Sequence, residues 1–440
     1  VLGAHIHPWF YSQEESPVMQ ITIIAGGSRG DVQPYVALGK GLKEAGHTVR
    51  VLAPQDYQDL ITAYGLEFFD MGGGVKTMAQ SQFQDIVEQG NILKILAVTG
   101  QGAQQLALQS AINGLVACQG SDMILAGFAG LSNGLALAEK LGIPFLQAYL
   151  MPFTPTSEFP GVLTPQLPQT RLTPWANGWS HRLAQQMMWQ MLRSADNKAR
   201  TQILQMAPAP FWGPFASLQR KSQPIIYGYS PQVIPPPADW ADYIHVTGYW
   251  FLEPPAGWEP PSDLVNFLQA GPPPVYVGFG SMLSRKPEET ADLVLQALAR
   301  TGQRAVLSSG WGGLKKESFP TTVFIVGSIP HSWLFPKMAA VVHHGGAGTT
   351  GAGLQAGIPS IITPFFGDQP FWGHRVYELG VGPKPISRQR LTVKNLADAI
   401  QCAVYDMTMR KNASSLGEHI RAENGIARAV TIIEQNRHPK

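Results

Sequence analysis

The chain has 440 residues, 44% of them hydrophobic and 14% charged, with 32 Lys and Arg against 30 Asp and Glu. That apolar content supplies cores for two or three domains and excludes a disordered chain, while a net charge of +2 without a long basic run argues against nucleic-acid binding. Two distant cysteines, Cys118 and Cys402, argue against a disulfide framework and fit a reducing, cytoplasmic setting.

Residues 1–18 carry no Lys or Arg and do not form a signal peptide, so they read as a disordered extension with Met19 as the functional start. Ile21–Ala25 is a short apolar run, expected as a buried strand. A Gly-rich turn follows, then a helix expected over Pro34–Ala45. Val49–Ala53, Leu66–Met71, Met123–Ala126 and Phe145–Tyr149 are further strands, with helices over Gln55–Tyr64 and Leu135–Leu141. The alternation predicts a parallel sheet covered on both faces. A Pro-rich loop after Met151 leads into a Met- and Trp-rich helix over His181–Met206. That helix covers the core or forms the wall of an apolar pocket, since Met and aromatic side chains make adaptable surfaces. Residues 231–261, dense in proline, are expected as an interdomain linker.

The alternation then restarts. Strands are expected at Val275–Phe279, Ala305–Ser308, Val323–Val326, Ala340–His343 and Ser360–Thr363, with a helix over Glu288–Ala299 and a mostly helical tail over Val393–Gln435. No apolar run is long enough to span a membrane, which leaves peripheral contact with one open. The expected domains are 19–230 and 262–424, with 425–440 as a terminal helix. Ligands of such sheets bind beyond the carboxyl ends of the strands, so the site belongs in the cleft between the two halves.

Two motifs carry the chemistry. The first is AGGSRGDVQP, Ala25–Pro34, a strand–turn–helix whose spacing is not a clean dinucleotide fingerprint. No acidic residue ends the second strand, because Ala53 runs into Pro54, and that argues against a nicotinamide enzyme. Asp31 is either a helix-capping residue or a general base facing the cleft. The second motif is VVHHGGAGTTGAGLQAGIPSIITPFFGDQPFWG, Val341–Gly373. His343 and His344 end a strand, and the turn through Gly345, Gly346 and Gly348 opens a helix whose free N–H groups suit a diphosphate. A histidine there stabilises a departing diphosphate, or is a core histidine or half of a metal site. No Asp, Glu or Cys stands at ligand spacing, so no metal is expected. Asp368 and Gln369, beyond the next strand, suit sugar hydroxyls or form an ordinary polar turn.

With these motifs, about Met19 to Gln435 resembles the GT-B nucleotide-sugar-dependent glycosyltransferases. The segments GSRGDVQPYVALG and HHGGAGTT…PFFGDQPFWG look like the sterol 3-β-glucosyltransferase branch and related bacterial natural-product transferases. The resemblance implies an α/β GT-B fold, two Rossmann-like α/β/α domains facing each other across a cleft. It places the acceptor in the first domain and the donor in the second, with the last helix crossing back to the first. It implies inversion without a metal or cofactor, UDP-glucose as donor, Asp31 as lone base and His344 on the diphosphate beside Gly346, Ala347, Gly348 and Thr349. Ser328, Ile329 and His331 would lie by the nucleoside, Asp368 and Gln369 by the sugar, and Ser28, Arg29, Gly30, Gly280 and Ser281 along the donor cleft. Trp311 would stack on the base or pack under a turn. Met151, Phe153, Met187, Met188 and Phe366 are the candidate acceptor contacts, for a sterol or, as the alternative, a flavonoid or polyketide. A dTDP-sugar donor, or a non-catalytic protein that binds nucleotide sugars, fits the same motifs.

Two departures matter. Plant relatives place a His where this chain has Asp31 and support it with an Asp near Gly127 or Phe128, where this chain reads SDMILAGFAG. Fungal sterol enzymes carry long membrane-targeting regions, and the short form here looks bacterial.

Overall fold

A computed structural model describes residues 18–72, 92–164, 170–220, 222–279, 287–308 and 319–436. The chain forms two parallel sheets. The first has seven strands in the order β3-β2-β1-β4-β5-β6-β7. These are β1 (Gln20–Ile24), β2 (Thr48–Ala53), β3 (Glu67–Asp70), β4 (Met123–Ala126), β5 (Phe145–Tyr149), β6 (Ile225–Tyr227) and β7 (Ile244–Val246). The second has five, in the order β10-β9-β8-β11-β12. They are β8 (Val275–Gly278), β9 (Ala305–Ser308), β10 (Val323–Val326), β11 (Ala340–His343) and β12 (Ser360–Ile362).

The central strands are apolar on both faces, as helices on both sides of a sheet require. Ile21, Ile23, Ile24, Val51, Leu52, Ile124 and Leu125 are all fully buried. Thr22 is buried too, its hydroxyl donating to the Ala117 carbonyl at 3.0 Å. Each sheet reverses its strand order once, at β1/β4 and at β8/β11. Such switch points open a crevice at the carboxyl ends of the strands. The first motif follows β1 and the second follows β11, so strand order alone aims both motifs at these crevices.

Helix α1 spans Arg29–Glu44 and begins five residues before Pro34, the start expected from the sequence. Ser28 and Asp31 pair at its true start, and a proline early in a helix is tolerated. The other helices are α2 (Gln58–Thr62), α3 (Ile92–Ala117), α4 (Leu131–Leu141), α5 (Thr173–Gln202), α6 (Phe215–Arg220), α7 (Ser262–Gln269) and α8 (Pro287–Thr301). Then come α9 (His331–Leu334), α10 (Ala347–Ala356), α11 (Gln369–Glu378), α12 (Val393–Tyr405), α13 (Met407–Ala422) and α14 (Gly425–Gln435).

Residues 231–261 are not all connection, because β7 lies among them and pairs with β6. After α13 the chain returns to the first domain. Ala429, Val430 and Ile433 of α14 join the core under α1, and Ile426 fits against Gly41, where a Cβ would come within 2.2 Å of it. His47 fixes the end of this crossing, with its Nε2 3.2 Å from Glu434. The domains also meet through Tyr229 against Trp372 and through Arg375, which donates to the Val233 carbonyl.

Candidate active site

The first half of the site is the turn from β1 into α1. Gly27 has φ +107°, and a Cβ there would lie 2.6 Å from the Asp31 carboxylate, so this turn admits only glycine. Asp31 Oδ2 accepts the Ser28 N–H at 2.7 Å and the Ser28 hydroxyl at 2.8 Å. Asp31 is exposed to the cleft, yet protein crowds it from both domains. That desolvation raises its carboxyl above the usual carboxylate range, while the two bonds from Ser28 pull the other way.

No second acid supports Asp31 from the neighbouring strand. At the end of β4, a Cβ on Gly127 would lie 1.7 Å from Tyr35 Oη and 2.5 Å from the Ala148 carbonyl oxygen. Tyr35 occupies that space because its hydroxyl donates to Ala148 at 2.5 Å. Ser28, expected along the donor cleft, orients Asp31.

The second half is the turn from β11 into α10. His343 is fully buried, and its Nδ1 accepts the Gly345 N–H at 3.1 Å. His344 faces the turn, its Nε2 2.6 Å from where a Cβ on Gly346 would sit. The first N–H groups of α10, at Ala347, Gly348 and Thr349, precede the first acceptors of the helix. They point the positive end of the helix dipole into the cleft. Burial lowers both His344 and His331 to about 4, and for His331 the Arg29 charge and then His344 add to burial. Both imidazoles are therefore neutral near pH 7, not cationic. Among the described residues, His344 Nδ1 is buried without a hydrogen-bond partner.

Asp368 caps α11, and its Oδ2 accepts the Trp372 indole N–H at 2.8 Å. Burial pushes Asp368 up to about 6; the Trp372 bond opposes this and the Asp31 charge adds to it. Asp368 thus feels the charge of Asp31, 337 positions away in the sequence, across the cleft. Gln369 is buried, and its Oε1 accepts from Phe365 N–H at 2.8 Å and Phe366 N–H at 3.3 Å, bracing the turn. Trp372, which holds Asp368 in place, is not singled out by the sequence motifs; its spacing of four residues on one helix was the available signal.

The halves touch. The Arg29 guanidinium donates to the Ser328 hydroxyl across the cleft. Pro34 has no N–H to donate back to the Gly30 carbonyl, four residues earlier. That carbonyl oxygen instead faces Gly348, where a Cβ would lie 3.2 Å from it. Ile329 packs at the edge of the core cluster that contains Leu334 and Phe335. Gly280, Ser281 and Trp311 lie outside the described residues.

Of the residues expected to contact an acceptor, Phe153 is buried among Phe128, Tyr149 and Phe215. Met151 packs against this cluster and Met188 lies within it, whereas Met187 points outward and is 54% exposed. Met187 and Met188 therefore do not line one wall. Phe366 is also exposed, in the turn before Asp368. Beside Tyr149, Phe153 and Gln185 is a cavity of about 20 Å³, far below the roughly 300 Å³ a drug-sized ligand needs. The aromatic cluster is a wall and not a ready cavity. A groove of about 420 Å³ between β7 and α14, lined by Ile244, Val246, Arg428 and Ile432, contains no residue of either motif. Among the described residues no group of three or more His, Cys, Asp or Glu gathers as a metal-ligand set.

Comparison with known proteins places this geometry. Residues 21–160 match the Glycosyltransferase family 28 N-terminal domain, and residues 283–434 match the Erythromycin biosynthesis protein CIII-like, C-terminal domain. A sterol 3-beta-glucosyltransferase of Arabidopsis thaliana is 36% identical over 96% of this chain and 69% of its own length. The chain belongs to the sterol 3-beta-glucosyltransferase family of GT-B glycosyltransferases. A second Arabidopsis thaliana sterol 3-beta-glucosyltransferase is 37% identical over 94% of this chain, which spans 65% of that relative's length. The GT-B fold has a solved counterpart in the Streptomyces sp. SF2575 glycosyltransferase SsfS6, complexed with thymidine diphosphate, with a TM-score of 0.60 and 21% identity over 95% of this chain and 99% of that one. No helix among the described residues of this family member is long and apolar enough to cross a membrane.

Proposed function

We propose that this chain transfers glucose from UDP-glucose to the hydroxyl of a sterol or a similar lipophilic alcohol, with inversion and without a metal. The observation that carries this is the placement of Asp31 and Asp368 across one cleft, beside His344 and the start of α10. The sterol 3-beta-glucosyltransferase relatives support the acceptor class.

In this reading Asp31 takes the proton of the acceptor hydroxyl as the oxygen bonds to the anomeric carbon. The bond from that carbon to the diphosphate oxygen breaks on the opposite face. The leaving charge falls on the first N–H groups of α10 and on His344, whose neutral imidazole donates an N–H. Asp368, one oxygen held by Trp372, accepts from sugar hydroxyls. Gln369 keeps the 365–366 turn in place, and Ser328, Ile329 and His331 flank the nucleoside.

The test is transfer from UDP-glucose to a panel of sterols and flavonoids, with chelator present, read by mass spectrometry. A sterol product one hexose heavier is the expected result. Products on flavonoids alone would replace the acceptor class, and absence of UDP binding would overturn the donor site. His344→Ala should lower kcat about 10²–10³-fold, the usual loss when one donor to a developing charge is removed. Steady-state kinetics with saturating donor would show it, and an unchanged kcat would remove His344 from the mechanism.

The facing carboxylates give a pH prediction. Both are raised above their ordinary values, so kcat/KM should fall as pH drops toward 6 and below, where the pair takes up protons. Asp31→Asn removes the negative charge that helps to raise Asp368, so the Asp368 carboxyl should titrate lower in that variant, read from the pH dependence of its carboxyl NMR signal. An Asp368 titration that stays in place, or moves up, would show that the Asp31 charge does not reach it.

A further inference from the structure

Helix α5, 30 residues long, is patterned inside out. Its buried face is substantially polar. Asn177, His181 and Gln185 are buried and reach the backbone of Ser157, Phe159 and Phe153 at 2.9, 3.0 and 3.0 Å. Its outer face is apolar. Leu172, just before it, and Trp175, Trp179, Leu183, Met187 and Met191 are each at least 45% exposed. Their spacing of three or four residues makes one stripe along the helix. The stripe widens at Phe211 and Trp212, 52% and 73% exposed, where Gln186 and Gln190 hold the Phe211 carbonyl at 3.1 and 2.7 Å. A contiguous apolar surface of this kind marks an interaction site.

The charges around it identify the partner. Residues 171–220 contain six basic residues and one acidic, while the rest of the chain contains 26 basic and 29 acidic. The one acid, Asp196, is buried and accepts from Ser132, and one of the six basic residues, Arg200, is likewise buried and pairs with Glu139 at 2.9 Å. Arg171 and Arg182 are exposed beside the stripe, with the Arg182 guanidinium 5.6 Å from the Trp179 ring centre. Tryptophan and Leu flanked by Arg, without exposed acids, is the composition of a helix lying in a bilayer interface. A second copy of this chain would bring basic residues against basic residues. The inner face of the same helix braces the 153–159 loop, so the helix links the docked surface to the backbone of Phe153.

We propose that the outer face of α5, with the Phe211–Trp212 corner, docks on an anionic lipid bilayer. The docking is read without donor or acceptor, so its failure would leave the proposed reaction untouched. The full chain is sedimented with vesicles of phosphatidylcholine, alone or mixed with phosphatidylglycerol. It should pellet with the mixed vesicles and far less with the neutral ones. Trp175→Ser with Trp179→Ser should weaken binding about tenfold or more, since interfacial affinity follows buried apolar area. Both side chains are more than half exposed, so the melting temperature should hold. Arg171→Glu with Arg182→Glu should remove the preference for anionic lipid, about fivefold for each basic residue lost. No pelleting of the native chain, or native binding by the Trp variant, would overturn the proposal. So would a dimer in vesicle-free buffer that the Trp substitutions abolish, since the face would then belong to a second copy.

Discussion

Asp31→Asn should lower kcat for glycosyl transfer about 10²–10⁴-fold, the contribution of a positioned general base. The amide keeps the size of the carboxylate and an oxygen that can accept from Ser28, so α1 should still begin at Arg29. Loss of the acidic group from the first turn costs about 0.3–1 kcal/mol, a small change in melting temperature. UDP affinity should be almost unchanged, because the proposed donor turn at the start of α10 is left intact. Single-turnover kinetics with saturating donor would separate the loss of chemistry from any loss of binding. A variant within a few fold of the native rate would mean that Asp31 only caps its helix.

Gly127→Ala should cost about 3 kcal/mol or more of stability, and Gly127→Asp more still. The Cβ itself has no room, since it would lie 1.7 Å from the Tyr35 hydroxyl and 2.5 Å from a β5 carbonyl. Tyr35 can retreat only by giving up its buried bond to Ala148, and the strand backbone cannot retreat at all. An aspartate would add a buried carboxylate without a partner. Guanidinium unfolding would report the loss as a lower midpoint, and an unshifted midpoint would contradict this packing. The same clash explains why this chain cannot carry a supporting acid at Gly127. Tyr35 fills that space, and Asp31 is held by Ser28.

Much of the fold was legible because its signals are local. Met123–Ala126, Phe145–Tyr149, Ala305–Ser308, Val323–Val326 and Ala340–His343 have the predicted bounds, since a short apolar run between turns has few other uses. The misses have physical causes. β7 is three half-buried residues inside a proline-rich stretch, and only pairing with β6 makes Ile244–Val246 a strand. Helix α5 begins at Thr173, eight residues before the expected start, because its outward Trp and Leu residues blur the usual pattern.

The site divides the same way. The sequence by itself determined the two Gly-rich turns, the residue types at their ends and the two sheets they follow. Those features depend on neighbours within a few residues. Only the tertiary structure decided that Asp31 meets Ser28, that Asp368 leans on Trp372, that Met187 faces outward and that Gly30 touches Gly348. It also decided the protonation states, since His344 and His331 are neutral and Asp368 titrates near 6. The reason is the same in each case. Desolvation and contact across a cleft arise from residues hundreds of positions apart, and no spacing along the chain encodes them.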